Sequence, residues 1–507
     1  MLNNVLDFLH ASPVFREAFG APGSGVTALY EMAEGQRPFF AALLARETGR
    51  PILYIAPSDA AAMRAADDCA AWLRGGAAVL PPPDTHFTRD TASRESAFQR
   101  LSVLQKARQG KIRVLCAGAD ALLTRMLPPE EYQKCAVDLR PGDHMEPADL
   151  IARLVSMGYE RVDMVEGKGQ CALRGAIVDA FSPAEAGATR IEFWDDEVDS
   201  IRAFDPISQR SLEKMERASF YPAVEWLMPA DCAALMRKMI REQINRSPSG
   251  VLAADLPPLP EDEETEQPAE EKGKRGKAAE KKRPEEPAAF PDVGPALRVY
   301  DTGVARLYRD ADQLEAGLQP PTLALWAGAL ERPCAWLWEY LNDPILVIEE
   351  PDRVKSRCED RAAGFAEDFK LSLERQEAVP EQGSLLRSWQ EAAQAMQGRP
   401  MYLLQDLLRG MGEIKPTAVH RFAGVNAPKY VSRFKDLAAD LAAWKKEGYL
   451  TLLMAGGDAR ARRLQTALNE MDTPVPTWEE YPSPGAGDIV IGLQRCPTGL
   501  SCQSAWP

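Results

Sequence analysis

Hydrophobic and polar positions alternate with a period of two between residues 158 and 226, which predicts a small antiparallel sheet. The alternation runs through residues 171–181 and returns at 189–193, so each run has one apolar and one polar face. Residues 195–197 form an acidic turn before a further strand at 198–204. A sheet with ordered charges on its open face favours a docking surface over a catalytic cleft.

A different pattern covers residues 1–145, where apolar segments of strand length alternate with segments of helical periodicity. The segments 52–56 and 112–118 are predicted as buried strands, and 60–73 and 94–109 as helices. Alternation of this kind indicates a parallel sheet covered by helices on both faces.

The pattern breaks at residues 256–294, where acidic and basic runs alternate with almost no large apolar side chains. Such a segment buries too little surface to offset chain entropy, so we expect a disordered charged insertion. Beyond it, 323–340 is predicted to be helical. Residues 384–491 are predicted to form a second small α/β unit, which begins with a strand at 402–404.

Composition narrows the class of protein. The 507 residues carry a net charge of −15, which opposes non-specific binding to DNA. Nine cysteines without a CxxC pair and four separated histidines predict reduced thiols, no metal site and a cytoplasmic protein. No apolar run reaches the roughly 20 residues that a membrane-spanning helix needs, and the amino terminus does not resemble a signal peptide.

The loop before the first predicted helix is a candidate phosphate-binding loop with altered chemistry. Gln36 and Arg37 follow Gly35 where a phosphate loop has Lys and Thr, and Pro38 removes a backbone donor. We therefore predict a degenerate loop without ATP binding. The acidic pair at 349–350 follows a buried strand, as a magnesium-holding pair would, but is interpreted as a strand end.

Spaced arginines mark the alternating region. They are Arg161, Arg174, Arg190, Arg202 and Arg210. Arginine makes bidentate contacts with carboxylates and so orients protein interfaces. The same arginines could instead pair with acidic residues of their own sheet, and the residues alone leave both interpretations open.

The motifs GYERVDMVEGKGQCALRGAIVDAF and RIEFWDDEVDSIRAFDPISQRSLE are nearly continuous in this region. They resemble the UvrB-homology region of the bacterial transcription-repair coupling factor, Mfd. The resemblance covers residues 1–230 in order and continues in LNDPILVIEEPDRV and in the segment that begins YVSRFKDLAADL. The family's helicase motor, RNA-polymerase-interacting domain and carboxy-terminal domain have no counterpart. We therefore expect an amino-terminal fragment with an aberrant tail at 492–507.

The resemblance implies an α/β fold: a degenerate P-loop-like parallel-sheet domain, an inserted antiparallel β/α module that binds UvrA, and a second small α/β domain. The expected segments follow. The UvrB-like domain is 1–145 with 231–255 and 295–355, the module is 146–230, and the small domain is 384–491.

The implied function is recruitment of UvrA, which couples nucleotide excision repair of damaged DNA to a stalled RNA polymerase. The chain itself is expected to be no enzyme, to hold no cofactor and to be a monomer. ATP binding, DNA binding and polymerase binding are expected only of the full-length translocase. The alternatives are a degenerate NTPase, or a nucleic-acid-binding fragment that uses the basic run at 272–283.

Carried over by position, the UvrA-binding face has Arg161 and Arg174 as its principal anchors. The remaining members are Gly175, Asp179, Phe181, Arg190, Glu192 and Phe193.

Overall fold

The computed structural model describes residue 19, residues 25–246 and 303–492, and residues 504–505. Short gaps fall at 74, 84, 86, 88–93, 411, 423–424, 427–429, 431–432, 456 and 482–483. The charged insertion predicted at 256–294 and most of the tail at 492–507 lie outside the described residues.

The strands and helices follow in chain order. The strands are β1 (Val26–Tyr30), β2 (Ile52–Ala56), β3 (Ala77–Leu80), β4 (Val114–Gly118), β5 (Val137–Leu139), β6 (Glu160–Arg161), β7 (Gln170–Arg174), β8 (Ile177–Ala180), β9 (Ala188–Trp194), β10 (Glu197–Phe204), β11 (Ser211–Lys214), β12 (Ala218–Phe220), β13 (Ile345–Glu349), β14 (Met401–Leu404), β15 (Ala418–Arg421), β16 (Val425–Asn426), β17 (Thr451–Met454), β18 (Ile489–Gly492) and β19 (Ser504–Ala505). The helices are α1 (Gln36–Thr48), α2 (Asp59–Leu73), α3 (Arg94–Arg108), α4 (Pro129–Lys134), α5 (Pro147–Ser156), α6 (Cys232–Arg246), α7 (Gly303–Glu315), α8 (Pro351–Glu374), α9 (Trp389–Ala395), α10 (Phe434–Lys446) and α11 (Asp458–Asn469).

A seven-stranded parallel sheet forms the larger domain, in the order β15-β1-β14-β13-β2-β4-β3. Its central strands β2, β4 and β13 are buried along their whole length, as expected for continuous apolar runs between two helical layers. Phe40 of α1 lies in the core on one side of the sheet. Val354 of α8 and Trp389 of α9 lie in the core on the other. The predicted α/β fold with a parallel sheet is confirmed.

Two segments differ from the sequence-based expectation. The strand predicted to begin the small unit, β14, lies between β1 and β13 of the large sheet, with Val26 paired to Met401. Parallel neighbours are joined by long crossovers, so their pairing is not local. The helix predicted at 323–340 is two 3₁₀ segments, Pro321–Trp326 and Leu337–Tyr340. Pro333 lies between them, where it interrupts helical hydrogen bonding.

The alternating region forms a six-stranded sheet in the order β11-β10-β9-β8-β7-β6, antiparallel except at β6 and β7. The run predicted at 171–181 is a hairpin, because Gly175 adopts a φ of +62° between β7 and β8. That φ is accessible to glycine at little cost, so the chain reverses there. Helix α5 covers one face of the sheet and packs against Val178 and Ile191.

An ion pair made by Arg100 of α3 connects the larger domain to the domain that contains the six-stranded sheet. Its guanidinium donates to both carboxylate oxygens of Glu225, at 2.6 and 3.0 Å, and its side chain is 2% exposed. In the part of the chain that the structure describes, no helix combines the length and the hydropathy needed to cross a membrane.

Candidate docking face

The face of the six-stranded sheet that points away from α5 is called the outer face here. Strand register decides which side chains share it. Val178 pairs with Ile191 and both lie in the core, so their neighbours point the other way. The outer face comprises Arg174, Ile177, Asp179, Arg190, Glu192, Trp194, Ser200 and Arg202.

Asp179 is the centre of the outer face, with a side chain only 1% exposed. Arg190 binds it in bidentate fashion, with Nε donating to Oδ1 at 2.7 Å and Nη2 to Oδ2 at 2.9 Å. Arg174 donates a third bond from Nη2 to Oδ2 at 2.5 Å. Each of the two arginines is therefore paired within its own sheet.

The two arginines differ in their exposure. The Arg190 side chain is 11% exposed, and its guanidinium lies 4.8 Å from the centre of the Phe204 ring. The bonds to Asp179 raise the pKa of Arg190. The Arg174 side chain is 39% exposed and belongs to the surface. Arg190 is thus part of the sheet's internal structure, whereas Arg174 can reach a partner.

The remaining predicted residues are spread over both sides of the sheet. Gly175 is exposed in its turn, and Glu192 is half-buried and accepts a bond from Ser200 Oγ at 2.7 Å. Phe193 is buried in the core beneath the sheet. Half-buried Phe181 packs against a small apolar cluster that includes Phe204.

Arg161 does not lie with Arg174. It pairs in register with Cys171, whose side chain is in the core on the α5 side. Burial raises the pKa of the Cys171 thiol to about 12, and the charge of Arg161 opposes that rise. Arg161 is therefore at the sheet's β6 edge, on the opposite side from Arg174. Cross-strand register determines the side of the sheet on which Arg161 lies, and the periodicity of the sequence alone does not reveal that side.

Trp194 was missed by the sequence analysis. It is 80% exposed at the end of β9 and shares the outer face with Glu192 two positions earlier. The backbone N–H of Phe193 donates to the Ala176 carbonyl at 2.9 Å, which holds the Gly175 turn beside this strand end. The signal was available: Phe193 points inward, so the next residue of an alternating strand points outward.

Polar groups of the predicted degenerate phosphate loop bond to other residues of the chain. The backbone N–H of Ala33 donates to Gln36 Oε1 at 2.9 Å, so one loop amide is already bonded. Arg37 donates to Glu349 Oε1 at 3.1 Å and to Glu350 Oε1 at 2.5 Å. Its Nη2 also donates to the Met32 carbonyl at 3.2 Å.

These contacts change the interpretation of the acidic pair. Glu349 and Glu350 lie at the end of β13, as predicted, and both also form ion pairs with Arg37. Burial raises the pKa of Glu349, and Arg37 acts against that rise. Among the described residues, no group of three or more His, Cys, Asp or Glu side chains is arranged to hold a metal ion.

Comparison with known protein families identifies the domain that contains the six-stranded sheet. Residues 137–226 match the family model of the UvrB interaction domain. The chain contains a UvrB interaction domain. The matched range begins with β5 and ends beyond β12, so it includes α5 and the complete six-stranded sheet.

Relatives align with the rest of the chain. Over 478 residues it is 26% identical to the transcription-repair-coupling factor of Bacillus subtilis, an alignment that covers 93% of this chain and 37% of that protein. Over 170 residues it is 34% identical to UvrABC system protein B of Acinetobacter baylyi, covering 33% of this chain and 25% of the relative. The Legionella pneumophila protein of that name is 26% identical over 365 residues, 68% of this chain and 48% of its own length.

The resemblance to the UvrB-homology region of the transcription-repair coupling factor is confirmed by these matches. The chain spans less than half the length of each of these relatives.

Proposed function

We propose that the UvrB interaction domain of this chain binds UvrA through its outer face and so recruits excision repair to a stalled RNA polymerase. The match of residues 137–226 to the UvrB interaction domain supports UvrA as the partner. The alignment with a transcription-repair-coupling factor supports the link to transcription. The single observation that carries the proposal is the exposed guanidinium of Arg174 on a face whose buried carboxylate is already held by Arg190.

The Asp179 contacts explain how Arg174 can change partners. Arg190 occupies both oxygens of Asp179, so the carboxylate keeps two charge-assisted bonds when Arg174 leaves. Breaking the Arg174 bond therefore leaves no buried unpaired charge, which is the costly outcome when a buried pair is split. Arg174 can therefore exchange its bond to Asp179 for one to a carboxylate of UvrA at a small cost in free energy.

Asp179 and Phe193 have a different role in this proposal. Both are buried, so neither can touch a partner while the sheet is intact. Asp179 positions the two arginines, and Phe193 supports the outer face from the core side. Arg161 contributes only if UvrA also reaches around the β6 edge of the sheet.

Titration calorimetry with purified UvrA tests the proposal. The unaltered chain should bind, and Arg174→Ala should weaken binding by about tenfold or more, as for a central interface arginine. Arg210→Ala is the matched control, because Arg210 is exposed in the β10–β11 loop at the other end of the sheet. An unaltered chain that does not bind UvrA contradicts the proposal, as does equal loss in both variants.

We also propose that the chain does not hydrolyse ATP by itself. The ion pairs of Arg37 with Glu349 and Glu350 support this, since the charges that would meet magnesium and phosphate already meet each other. A thermal shift with Mg-ATP and a phosphate-release assay should both be negative. ATP-dependent stabilisation that is lost in Arg37→Ala would overturn the idea.

A further inference from the structure

We propose that Trp194 is the apolar anchor of the outer face and inserts into a recess of UvrA beside the contact made by Arg174. This inference rests on the proposed function and adds a residue that neither the motifs nor the family match assigns.

The Trp194 side chain is exposed and is not part of the core of the domain. Trp194 is 80% exposed, although it ends a strand whose inward side chains Ile191 and Phe193 are buried. Its cross-strand partner is Glu197, an exposed residue, so no apolar neighbour on β10 covers the indole. Large aromatic side chains are among the residues that carry most binding energy in protein interfaces.

The turn between β7 and β8 is the neighbour of the Trp194 strand end on the β8 side. The neighbouring turn consists of Gly175 and Ala176, and a Cβ added at Gly175 would meet nothing within 4 Å. The bond from Phe193 N–H to the Ala176 carbonyl holds that turn in place. The strand end that carries Trp194 therefore lies next to a turn of two small residues, and Arg174 directly precedes that turn. Because these two residues are small, they leave room for a partner to contact the indole ring.

The charges nearby indicate the chemistry of the partner. Asp195, Asp196 and Glu197 follow Trp194 directly, and His144 Nδ1 lies 3.2 Å from Asp196 Oδ1. The matching surface is an apolar recess with basic side chains toward the acidic turn and a carboxylate toward Arg174. A nucleic acid would bring its phosphates against these carboxylates. A second copy docked symmetrically would bring one acidic turn against another. A recess on UvrA with basic side chains would avoid both kinds of charge repulsion.

The test compares two exposed apolar residues at opposite ends of the same domain. Trp194→Ala should weaken UvrA binding about thirtyfold or more in calorimetry with the full chain. Ile207→Ala is the matched control, because Ile207 is 94% exposed in the β10–β11 loop. It should bind within about twofold of the unaltered chain. Trp194→Phe should retain more of the affinity than Trp194→Ala.

The outcomes separate this inference from the proposed function. No binding by the unaltered chain overturns both. Binding that is weakened by Arg174→Ala but unchanged by Trp194→Ala overturns only the role of Trp194. Trp194→Ala and Ile207→Ala should both leave the melting temperature unchanged, since neither side chain is packed in the core. A melting-temperature loss confined to Trp194→Ala would assign the residue to stability and overturn the inference.

Discussion

At the scale of single residues, Arg174 and Arg190 bond to one carboxylate, Asp179, but differ in their exposure to solvent. Arg190 is half-buried, binds Asp179 twice and lies over Phe204. Arg174 adds one bond at the surface. The same residue type at neighbouring positions of one sheet therefore has two different environments.

Arg190→Ala should lower the free energy of unfolding by about 3 kcal/mol, because it leaves a buried carboxylate with only one partner. Arg174→Ala should lower it by less than about 1 kcal/mol, since its contact is partly exposed. Urea unfolding followed by circular dichroism measures both. Equal losses would show that the two arginines support the sheet alike.

Arg37→Met should destabilise the larger domain by about 3 kcal/mol, because Glu349 and Glu350 lose their shared cation. Burial already raises the pKa of Glu349, and loss of Arg37 raises it further. A raised folded-state pKa means stability that is lost as pH rises through it. The loss measured by urea unfolding should thus be larger near neutral pH than at about pH 5.

Arg50→Met is the control for that variant. Arg50 also pairs with an acid, Asp343, but the aspartate side chain is 76% exposed. We expect a loss below about 1 kcal/mol with no comparable dependence on pH. A pH-independent loss in Arg37→Met would contradict the role given to Glu349.

At the scale of elements, backbone conformation and capping determine where helices and strands end. Gly175 divides one alternating run into β7 and β8. On α7, Asp310 accepts bonds from Thr322 Oγ1 at 2.7 Å and Trp326 Nε1 at 3.3 Å, which fixes the 3₁₀ segment against the helix. Burial raises the pKa of Asp310 to about 6.

The pKa of Asp310 predicts a pH dependence that belongs to this helix pair. An acid whose folded-state pKa lies above its unfolded value favours folding at low pH, and that contribution is lost as pH rises from about 4 through 6. The stability of the unaltered chain should fall by roughly 2 kcal/mol relative to Asp310→Asn over that interval, with allowance for partial solvent contact.

Parallel urea titrations at several pH values measure the difference. Asp312→Asn is the control, since Asp312 is more exposed on the same helix and pairs with Arg237. Its curve is expected to lack this relative fall. A constant difference between the unaltered chain and Asp310→Asn would contradict the prediction.

At the scale of the whole molecule, a few contacts join the UvrB interaction domain to the parallel sheet. The buried pair of Arg100 with Glu225 is one of them, and Arg100 also donates to the Pro81 carbonyl. Gly169 is another, because a Cβ there would lie 2.5 Å from Phe98 Cζ. The orientation of the outer face relative to the rest of the chain depends on such contacts.

Arg100→Ala should release this attachment and cost about 3 kcal/mol, since it leaves the Glu225 carboxylate without its bidentate partner. Hydrogen exchange should rise in β6 and β12 while the interior of the six-stranded sheet stays protected. Arg94→Ala is the matched control, because the Arg94–Glu160 pair is exposed on both sides. Uniform exchange throughout the chain in Arg100→Ala would show global unfolding instead.

The sequence by itself determined the features that depend on near neighbours. Continuous apolar runs predicted the buried strands β2, β4 and β13, and alternation predicted a strand at β9 before the acidic turn, because both patterns are properties of a single segment. Local sequence also predicts a degenerate phosphate loop at Gln36 and Arg37, and the motifs around Arg174 indicated the family.

Only the tertiary structure decided which distant residues meet. It placed β14 inside the large sheet, separated Arg161 from Arg174 and brought Arg37 to Glu349. It also gave the two arginines of Asp179 different exposure, with Arg190 half-buried and Arg174 exposed. Register and crossover connections are set by packing between segments far apart in the chain, so no local pattern specifies them.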